Sequence, residues 1–382
     1  MTRTHFSLAL VATLAACGDG QPLFDTETPV TTDEASEAVT DAALEDIQSG
    51  SDGRSDSLQD LDEILDAGTN APPLLGELAE RGDIVRIEAL DGSGGITSSF
   101  AFNGDDDTFT VDGLGFDGLN VYQRSANIPQ LGSIAVYEAD QVVLDSLTEQ
   151  PIDQIVPYIA LFDRSEVLVD EDGAMTLAAD GTPRTSFTVV RTGGYQGFGF
   201  GGYAYQRAGS FTLQETGQAR FTGDYAGVRV YERLIDHEIT SGQVIVDIDF
   251  DDFNTTEAVK GIIFDREARK ADGTVVASST NPDERLITAG DLQLPNLNFT
   301  VRAFGTAIAN DGEISGNIGN TRIDDQGNLL DYEDGQYFGI IAGDLTDRND
   351  GGEIVGVIKV ESEDNRGDGI IVQETGGFIA TR

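Results

Sequence analysis

The stretch that decides the fold spans residues 209–253 and reads GSFTLQETGQARFTGDYAGVRVYERLIDHEITSGQVIVDIDFDDF. β-Branched and aromatic residues recur at every second position in short runs, and Gly, Thr and Asp separate the runs. This period is typical of antiparallel strands and not of helices. The last run places Val244, Val246, Ile248 and Phe250 on one face and Asp247, Asp249 and Asp251 on the other. We expect the aspartate face to lie outside the protein, in water.

A Gly-x-Tyr-x-Gly motif occurs twice in the second half of the chain. It consists of Gly223, Tyr225 and Gly227 in the first copy and of Gly335, Tyr337 and Gly339 in the second. A spacing of two residues places all three members on one face of a strand. Because glycine has no side chain, each pair makes room for the ring or for a crossing strand. The motif predicts tight strand packing in a closed sheet and has no catalytic chemistry.

Nine runs of strand residues follow one another between residue 209 and the C-terminus. They are 209–213, 218–225, 242–250, 259–265, 298–303, 313–318, 335–342, 353–360 and 377–381. Consecutive strands joined by turns predict an eight-stranded, up-and-down antiparallel β-barrel that is filled by its own side chains. The last run is placed to close the barrel against the first. We expect strands shorter than about ten residues, which together with the absence of Trp argues against a membrane-spanning barrel.

Residues 83–208 predict a smaller β-rich domain that precedes the barrel. Its strand runs are 84–89, 96–102, 108–111, 120–124, 133–137 and 185–191. Residues 151–162 are apolar and contain Pro157, so either a loop or a helical turn is compatible with the sequence. We place the boundary between the two domains near residues 207–209.

Residues 193–206 combine six glycines with five aromatic residues. The aromatic residues are Tyr195, Phe198, Phe200, Tyr203 and Tyr205. One interpretation is an exposed recognition surface that offers these rings to a ligand. The alternative is that glycine and aromatic residues alternate because strands cross closely there and the rings cover neighbouring glycine backbone.

The N-terminus has the features of an exported lipoprotein. Arg3 provides a positive charge, residues 6–14 are a short apolar segment, and Leu14-Ala15-Ala16-Cys17 is a small-residue cleavage site that ends in the only cysteine. This site resembles the lipobox of bacterial lipoproteins. The resemblance implies a signal peptide over residues 1–16, lipid attachment at Cys17 and, with Gly18 next, export to the outer membrane. The alternative is an ordinary secretory signal with an unrelated cysteine.

Residues 17–82 predict an acidic tether. From residue 18 to residue 70 the chain has fifteen acidic residues and one basic residue, Arg54, a composition that buries too little apolar surface to fold alone. Two short helices are predicted within it, over residues 57–67 and 74–81. The whole chain of 382 residues has 23 Lys and Arg against 68 Asp and Glu, a net charge of −45. Nucleic acid is a poor partner for such an acidic protein.

The sequence offers no catalytic constellation. One histidine, His237, follows the signal peptide, and we expect it in a surface loop, without a nucleophile motif. No cofactor is expected. Calcium is the remaining option, because residues 103–107 and 344–350 concentrate oxygen ligands, although neither matches the EF-hand spacing.

The C-terminal half resembles the barrel of transferrin-binding-protein-like lipoproteins, the group that also includes factor H binding protein. The residues that resemble it are the lipobox at Cys17, the segments 221–227, 335–339 and 353–356, and Gly376-Gly377-Phe378. The late motif departs from the family's Gly-Pro-x-Ala-x-Glu, because residues 340–344 read IIAGD. The likeness is closest to uncharacterised members. It implies an eight-stranded barrel beside a handle domain, with partner proteins bound through loops.

These observations predict an outer-membrane, surface-exposed lipoprotein that is not an enzyme and that binds a protein or a small ligand. One alternative is a structural or stress-related envelope lipoprotein without a dedicated ligand. Another is a carboxylate-dependent glycan hydrolase, because acidic residues are abundant enough to supply a catalytic pair.

Overall fold

The computed structural model describes residues 55–57, 83–88, 99–104, 106–112, 121–144, 150–154, 156–178, 181–193, 197–232, 234–252, 258–278, 294–300, 311–323, 326–347, 350–364 and 369–382. All of them belong to one compact unit, Asp52–Arg382. Their regular structure consists of twenty-five strands and a single 3-10 turn, Phe250–Asp252, so the described part is all-β, as predicted. These residues contain no helix with the length and hydropathy of a membrane span.

The first fifteen strands form the handle. They are β1 (Ser55–Ser57), β2 (Ile84–Ile87), β3 (Ser99–Asn103), β4 (Thr108–Asp112), β5 (Val121–Arg124), β6 (Gln130–Leu131), β7 (Ile134–Glu138), β8 (Val142–Leu144), β9 (Pro151–Asp153), β10 (Ile159–Arg164), β11 (Leu168–Val169), β12 (Met175–Thr176), β13 (Thr182–Pro183), β14 (Thr185–Arg191) and β15 (Gly201–Arg207). Nine of them form a half-barrel sheet in the order β1-β3-β4-β5-β7-β10-β14-β15-β2, and β6 pairs with β7. The remaining strands form the pair β8-β9 and the small sheet β12-β11-β13.

The other ten strands build the barrel. They are β16 (Phe211–Thr212), β17 (Gln218–Tyr231), β18 (His237–Asp249), β19 (Val259–Arg269), β20 (Val275–Ser278), β21 (Leu297–Thr300), β22 (Glu313–Ile323), β23 (Leu329–Asp344), β24 (Glu353–Glu363) and β25 (Ile371–Thr381). Eight of them, all except β16 and β20, form a closed antiparallel circuit in chain order. The predicted eight-stranded barrel is therefore confirmed.

The barrel closes where β25 pairs with β17, from Thr222 opposite Thr381 to Tyr231 opposite Val372. The C-terminal strand thus completes the circuit, as expected, but against β17 and not against the run at 209–213. That run contributes only the two-residue β16, which pairs in parallel with β23. Seven of the eight barrel strands have 11 to 16 residues, so the expected strand length of less than about ten was wrong.

Apolar side chains fill most of the barrel interior. Val244, Val246, Ile248 and Phe250 belong to this core, and all are almost fully buried. The aspartates that alternate with them lie on the outer face, where Asp247 accepts a 2.7 Å hydrogen bond from exposed Arg220. The predicted direction of the two faces is confirmed.

A second apolar core lies between the handle sheet and the outer wall of the barrel. The handle contributes side chains from β7, β10, β14 and β15, and the barrel contributes side chains from β17, β18, β23, β24 and β25. A third core fills the concave inside of the handle and includes Phe109, Tyr122 and Tyr137. The handle sheet is therefore covered by apolar packing on both faces.

The structure decides one segment of the handle that the sequence left open, and it bears on one end of a helix predicted in the tether. Residues 151–162, left open between a loop and a helical turn, contain β9 and the start of β10. Ser57, where a helix was predicted to begin, is the last residue of β1, and residues 58–67 and 74–81 lie outside the described residues.

Candidate functional site

Both Gly-x-Tyr-x-Gly motifs lie on barrel strands, β17 and β23, with their tyrosines inside the barrel. Tyr225 and Tyr337 are fully buried, and the Tyr337 ring stacks on Phe299 with 4.3 Å between ring centroids. A Cβ on Gly223 would lie 2.1 Å from a backbone oxygen of β25, and a Cβ on Gly335 would lie 2.0 Å from a backbone oxygen of β24. A side chain at either position therefore has no room without moving a barrel strand.

Tyr225 connects the apolar interior to a group of buried charges. Its hydroxyl donates a 2.6 Å hydrogen bond to Oε1 of Glu374 on β25. A Cβ on Gly227 would lie 2.7 Å from this hydroxyl, and a Cβ on Gly376 would lie 2.3 Å from it. These two glycines leave the space through which the ring reaches the carboxylate.

The charges form a buried ion cluster, which consists of Arg229, Glu238, Arg266, Glu333 and Glu374. Arg266 donates to both oxygens of Glu333 at 2.7 and 2.9 Å and to Glu374 at 2.7 Å. Arg229 donates to Glu374 at 3.3 Å, and its Nε lies 3.5 Å from Oε2 of Glu238. None of the five side chains is more than 3% exposed. The cluster therefore belongs to the interior of the protein.

Polar groups around the ion cluster supply further hydrogen bonds. Thr240 donates its hydroxyl to Glu374 at 2.9 Å, and Asn320 donates its side-chain amide to Glu333 at 2.5 Å. Arg266 also donates to the carbonyl oxygen of Pro295 at 2.7 Å. Such bonds are required, because an unpaired charge in a protein interior costs several kcal/mol.

Electrostatics favour the charged forms of Glu374 and Arg266 in this cluster. Burial alone would raise the pKa of Glu374, but Arg266 and Arg229 outweigh that effect and lower it. Burial would lower the pKa of Arg266, but Glu333 and Glu374 raise it. Burial, and then the negative charge of Glu374, raise the pKa of Tyr225 well above its usual value. A carboxylate that is ionised, enclosed and hydrogen-bonded at both oxygens is not poised to transfer a proton to a substrate.

The sequence prediction missed the ion cluster, although a signal for it exists. Inward and outward residues alternate along β17, and the inward series that includes Tyr225 and Gly227 continues to Arg229. Glu238 lies directly opposite Arg229, and Thr240 lies opposite Gly227. Extending the period of two from the tyrosine motif would have placed these polar side chains inside the barrel.

The aromatic segment is largely covered by other residues. Tyr203 and Tyr205, at 8% and 6% exposure, belong to the apolar core between handle and barrel. Phe198 and Phe200 are partly buried and pack against that core and the core inside the handle, respectively. Tyr203 and Tyr205 are therefore not part of an exposed recognition surface. Ligand binding at Phe198 and Phe200 stays a prediction. Tyr195 lies outside the described residues.

His237 is not in a surface loop, so that expectation was wrong. It is the first residue of β18, pairs with Val230 and is 5% exposed. Neither ring nitrogen has a hydrogen-bond partner. Burial lowers its pKa, against the nearby carboxylates of Asp236 and Glu238. A neutral, enclosed imidazole of this kind has no nucleophile to activate within hydrogen-bond distance.

The two loops considered for calcium use their carboxylates for protein contacts. Asp107 accepts hydrogen bonds from Arg124 at 2.7 and 3.0 Å and from the Tyr137 hydroxyl at 2.7 Å. Asp350 pairs with Arg184 and accepts a bond from the backbone of residue 344. In the described part of the chain, no three His, Cys, Asp or Glu side chains are grouped as a metal site requires.

Exposed apolar side chains lie on three hairpins at one end of the barrel. The strand register identifies this end: Asp334 lies opposite Glu361, which lies opposite Gln373. Gln373 in turn lies opposite Val230, close to the end of β17. The hairpins at this end have large apolar residues between 41% and 63% exposed, namely Leu234, Ile235, Val275, Leu329 and Leu330. We call these five residues the apolar rim.

Comparisons with known proteins give weak matches. No protein-family model matches the chain, and no curated protein matches it. Two crystal structures of the vaccine antigen transferrin-binding protein B from Haemophilus parasuis Hp5 match at low similarity. The single mutant is 11% identical, with a TM-score of 0.26, over 77% of this chain and 68% of that one. The double mutant is 9% identical, with a TM-score of 0.29, over 78% of this chain and 54% of that one.

Proposed function

We propose that this chain is a non-enzymatic lipoprotein of the bacterial outer membrane that is displayed on the cell surface and binds a partner protein. In this proposal a lipid on Cys17 holds the chain, although Cys17 itself lies outside the described residues. The proposed division is a signal peptide over 1–16, a tether over 17–82, a handle over 83–208 and a barrel over 209–382. Kinship with transferrin-binding-protein-like lipoproteins stays part of the proposal and rests on the short motifs quoted above.

The apolar rim is the observation that supports binding. Scattered exposed apolar residues are common, but here five large ones lie on hairpins at the same end of one barrel. Exposed apolar surface that is concentrated in one region marks interaction sites, and these five residues share one end of the barrel. The rim lies at the same end of the barrel as the buried pair of Arg229 and Glu238, which are one residue from the end of the ladder between β17 and β18.

The packed interior favours a protein partner over a small ligand inside the barrel. Barrels that enclose a ligand keep a cavity on their axis. Here Phe221, Tyr225, Tyr337 and Phe378 fill the interior and are fully buried. With no room for a ligand inside the described part of the barrel, a partner protein would contact the outer surface of the barrel.

Photo-crosslinking on intact cells tests the proposal. A photoreactive amino acid would replace Leu234 or Leu329 in the rim and, as the control, Glu215, an exposed residue before β17 at the opposite end. We expect protein adducts from the two rim positions and none from position 215. Adducts from neither rim position, or equal adducts from all three, would contradict the proposal.

The lipid anchor needs a separate measurement. Mass spectrometry of the mature N-terminus should find an acylated Cys17, and Cys17→Ser should move the protein from the membrane fraction to the soluble fraction. A mature terminus at another residue would remove the anchor from the proposal without affecting the rim.

A further inference from the structure

The hairpin formed by β22 and β23 extends past the neighbouring strands of the barrel. The ladder between these two strands continues as far as Ile323 opposite Leu329. The ladder between β23 and β24 stops earlier, at Asp334 opposite Glu361. In the described part of the chain, Leu329 therefore has β22 as its only strand neighbour. We call residues 321–323 and 329–333 the hairpin arm.

The end of the arm exposes apolar side chains on an edge strand. Residues 326–331 are all exposed, with Leu329 at 63% and Leu330 at 41%. Proteins protect such edges with Pro, with Lys or with a covering segment, because an open edge pairs readily with another chain. The arm contains neither Pro nor Lys. Its geometry therefore suits strand addition, in which an extended segment pairs with an exposed sheet edge.

The flank of the arm is strongly acidic. Asp334 and Glu361 lie directly opposite each other and both are exposed, an arrangement that destabilises a sheet through like-charge repulsion. Glu363 is exposed two residues further along β24. In the sequence, residues 321–334 and 361–368 contain nine acidic residues against Arg322 and Arg366. Positive charge from outside the chain would relieve this repulsion.

We propose that the hairpin arm binds an extended, basic segment of a partner protein. The segment pairs as a strand with β23 at Leu329 and Leu330, and its Lys or Arg side chains lie against Asp334, Glu361 and Glu363. Apolar side chains of the segment cover the two leucines. This inference rests on the proposed function and specifies the chemistry of the partner at one part of the rim.

Charge also decides between a partner protein and a second copy of the chain. Two copies that paired through their arms would bring the same carboxylates together, on molecules that each have a net charge of −45. Like charges brought together at an interface cost several kcal/mol. A basic partner gains from the same charges, and its affinity must fall as salt screens them.

Peptide binding to the full mature chain in detergent tests the inference. The probes are three capped octapeptides: (Lys-Val)4, (Glu-Val)4 and (Lys-Pro)4, which has the charge of the first but cannot form a strand. By calorimetry we expect (Lys-Val)4 to bind at least about tenfold more tightly than either control, and more weakly at high salt. Hydrogen exchange should show new protection at Leu329 or Leu330, where the segment is proposed to pair, when it binds.

Two double variants with equal charge changes locate the site. Asp334→Lys with Glu361→Lys should weaken (Lys-Val)4 binding at least about tenfold. Glu171→Lys with Asp172→Lys, in an exposed turn of the handle, should leave it unchanged. Melting temperatures confirm that both variants are folded, and the exchange measurement on the unmodified chain does not depend on either variant.

Three results would overturn the inference. The first is a failure of peptide selectivity, either equal binding of the three peptides or no binding of (Lys-Val)4. The second is exchange protection elsewhere than in the arm. The third is a dimer found by light scattering in the absence of peptide. The last result would assign the arm to a second copy. Crosslinks from the rim without peptide binding would leave the proposed function standing and remove only this inference.

Discussion

At the scale of single residues, Glu374 is the counter-charge that two buried arginines share. Arg266 and Arg229 both donate to its Oε2, at 2.7 and 3.3 Å, and Tyr225 donates to its other oxygen. In Glu374→Gln the side chain keeps its shape but loses its charge. We expect the free energy of unfolding to fall by about 3–5 kcal/mol, because the variant breaks a buried ion pair and removes the negative charge that Arg229 and Arg266 share. Chemical denaturation measures this change.

The control for Glu374→Gln removes a carboxylate from an exposed pair. Asp247 accepts two hydrogen bonds from Arg220 on the outer wall of the barrel, where water screens the interaction. Asp247→Asn should leave the free energy of unfolding nearly unchanged. Equal losses in the two variants would mean that the buried ion cluster contributes no more than a surface pair.

Asp163 should make stability depend on pH. Burial raises its pKa to about 6, and the Ser133 hydroxyl, which donates a 2.7 Å hydrogen bond to it, only partly opposes this. The unfolded chain releases the same proton near pH 4. Because the folded state binds more protons between these values, this residue lowers the free energy of unfolding as the pH rises from about 4 to about 6, by about 3 kcal/mol.

The variant Asp163→Asn removes this pH dependence. Its free energy of unfolding, relative to that of the unmodified chain, should rise by about 3 kcal/mol between pH 4 and pH 7, with most of the change below about pH 6. Asp153→Asn, which removes an exposed carboxyl on β9, controls for the loss of charge alone. A difference between Asp163→Asn and the unmodified chain that stays constant from pH 4 to pH 7 would show that Asp163 titrates normally.

What the sequence could predict about single residues depended on their neighbours along the strand. The inward direction of Val244 and Val246 follows from alternation with aspartates, and the structure confirms it. Arg229 was missed because the predicted run ends at residue 225, before the inward series reaches it. Its neighbours Val228 and Val230 are apolar but pack outward, against the handle. The alternation of apolar and polar residues identifies the two faces of a strand. It does not show which face another part of the protein, here the handle, covers.

At the scale of elements, β25 has no room for side chains beneath the handle at Gly377. A Cβ there would lie 2.4 Å from ring carbons of Phe187 on β14, which is itself buried. We expect Gly377→Ala to lower the free energy of unfolding by about 1–3 kcal/mol, because neither the ring nor the strand can move without disturbing packing. Denaturation midpoints measure the effect.

The matched control for Gly377→Ala is Gly104→Ala. A Cβ on Gly104 would meet only the Phe102 ring at 3.4 Å, which is ordinary contact. This variant should therefore be close to neutral. If Gly377→Ala is equally neutral, the Phe187 ring on β14 does not pack as closely on Gly377 of β25 as described above.

The order of the strands could be predicted from the sequence more closely than their lengths. The predicted run 185–191 matches β14 at both ends, and the run 218–225 begins where β17 begins. The prediction ended the latter six residues early because Gly227 and Arg229 interrupt the apolar pattern. In a closed barrel the ladder continues through such residues, since β25 and β18 supply backbone partners on both sides. Ladder continuity is a tertiary property that a local pattern does not include.

At the scale of the whole molecule, the handle and the barrel share one apolar core and several polar contacts. Arg184 of the handle donates to Glu353 of the barrel at 2.8 Å, and Ser165 donates to the same carboxylate at 2.8 Å. Arg207 donates to the carbonyl oxygen of Ile341 at 2.8 Å. The sequence predicted two bodies but not this contact, because the residues that form it are more than 100 positions apart and each strand segment is locally ordinary.

A shared core predicts that the two bodies unfold together. Phe187 of β14 is 2% exposed and packs on the barrel at β25. Phe187→Ala should lower the free energy of unfolding by about 3–5 kcal/mol, and the loss should be equal when it is measured by hydrogen exchange in β14 and in β25. Val121→Ala, at a handle position that is 42% exposed, should change neither value by much. Two results would contradict this prediction: faster exchange in the handle alone, or two transitions in calorimetry. Either one would mean that the core between handle and barrel does not couple their unfolding. The apolar rim would then move independently of the handle.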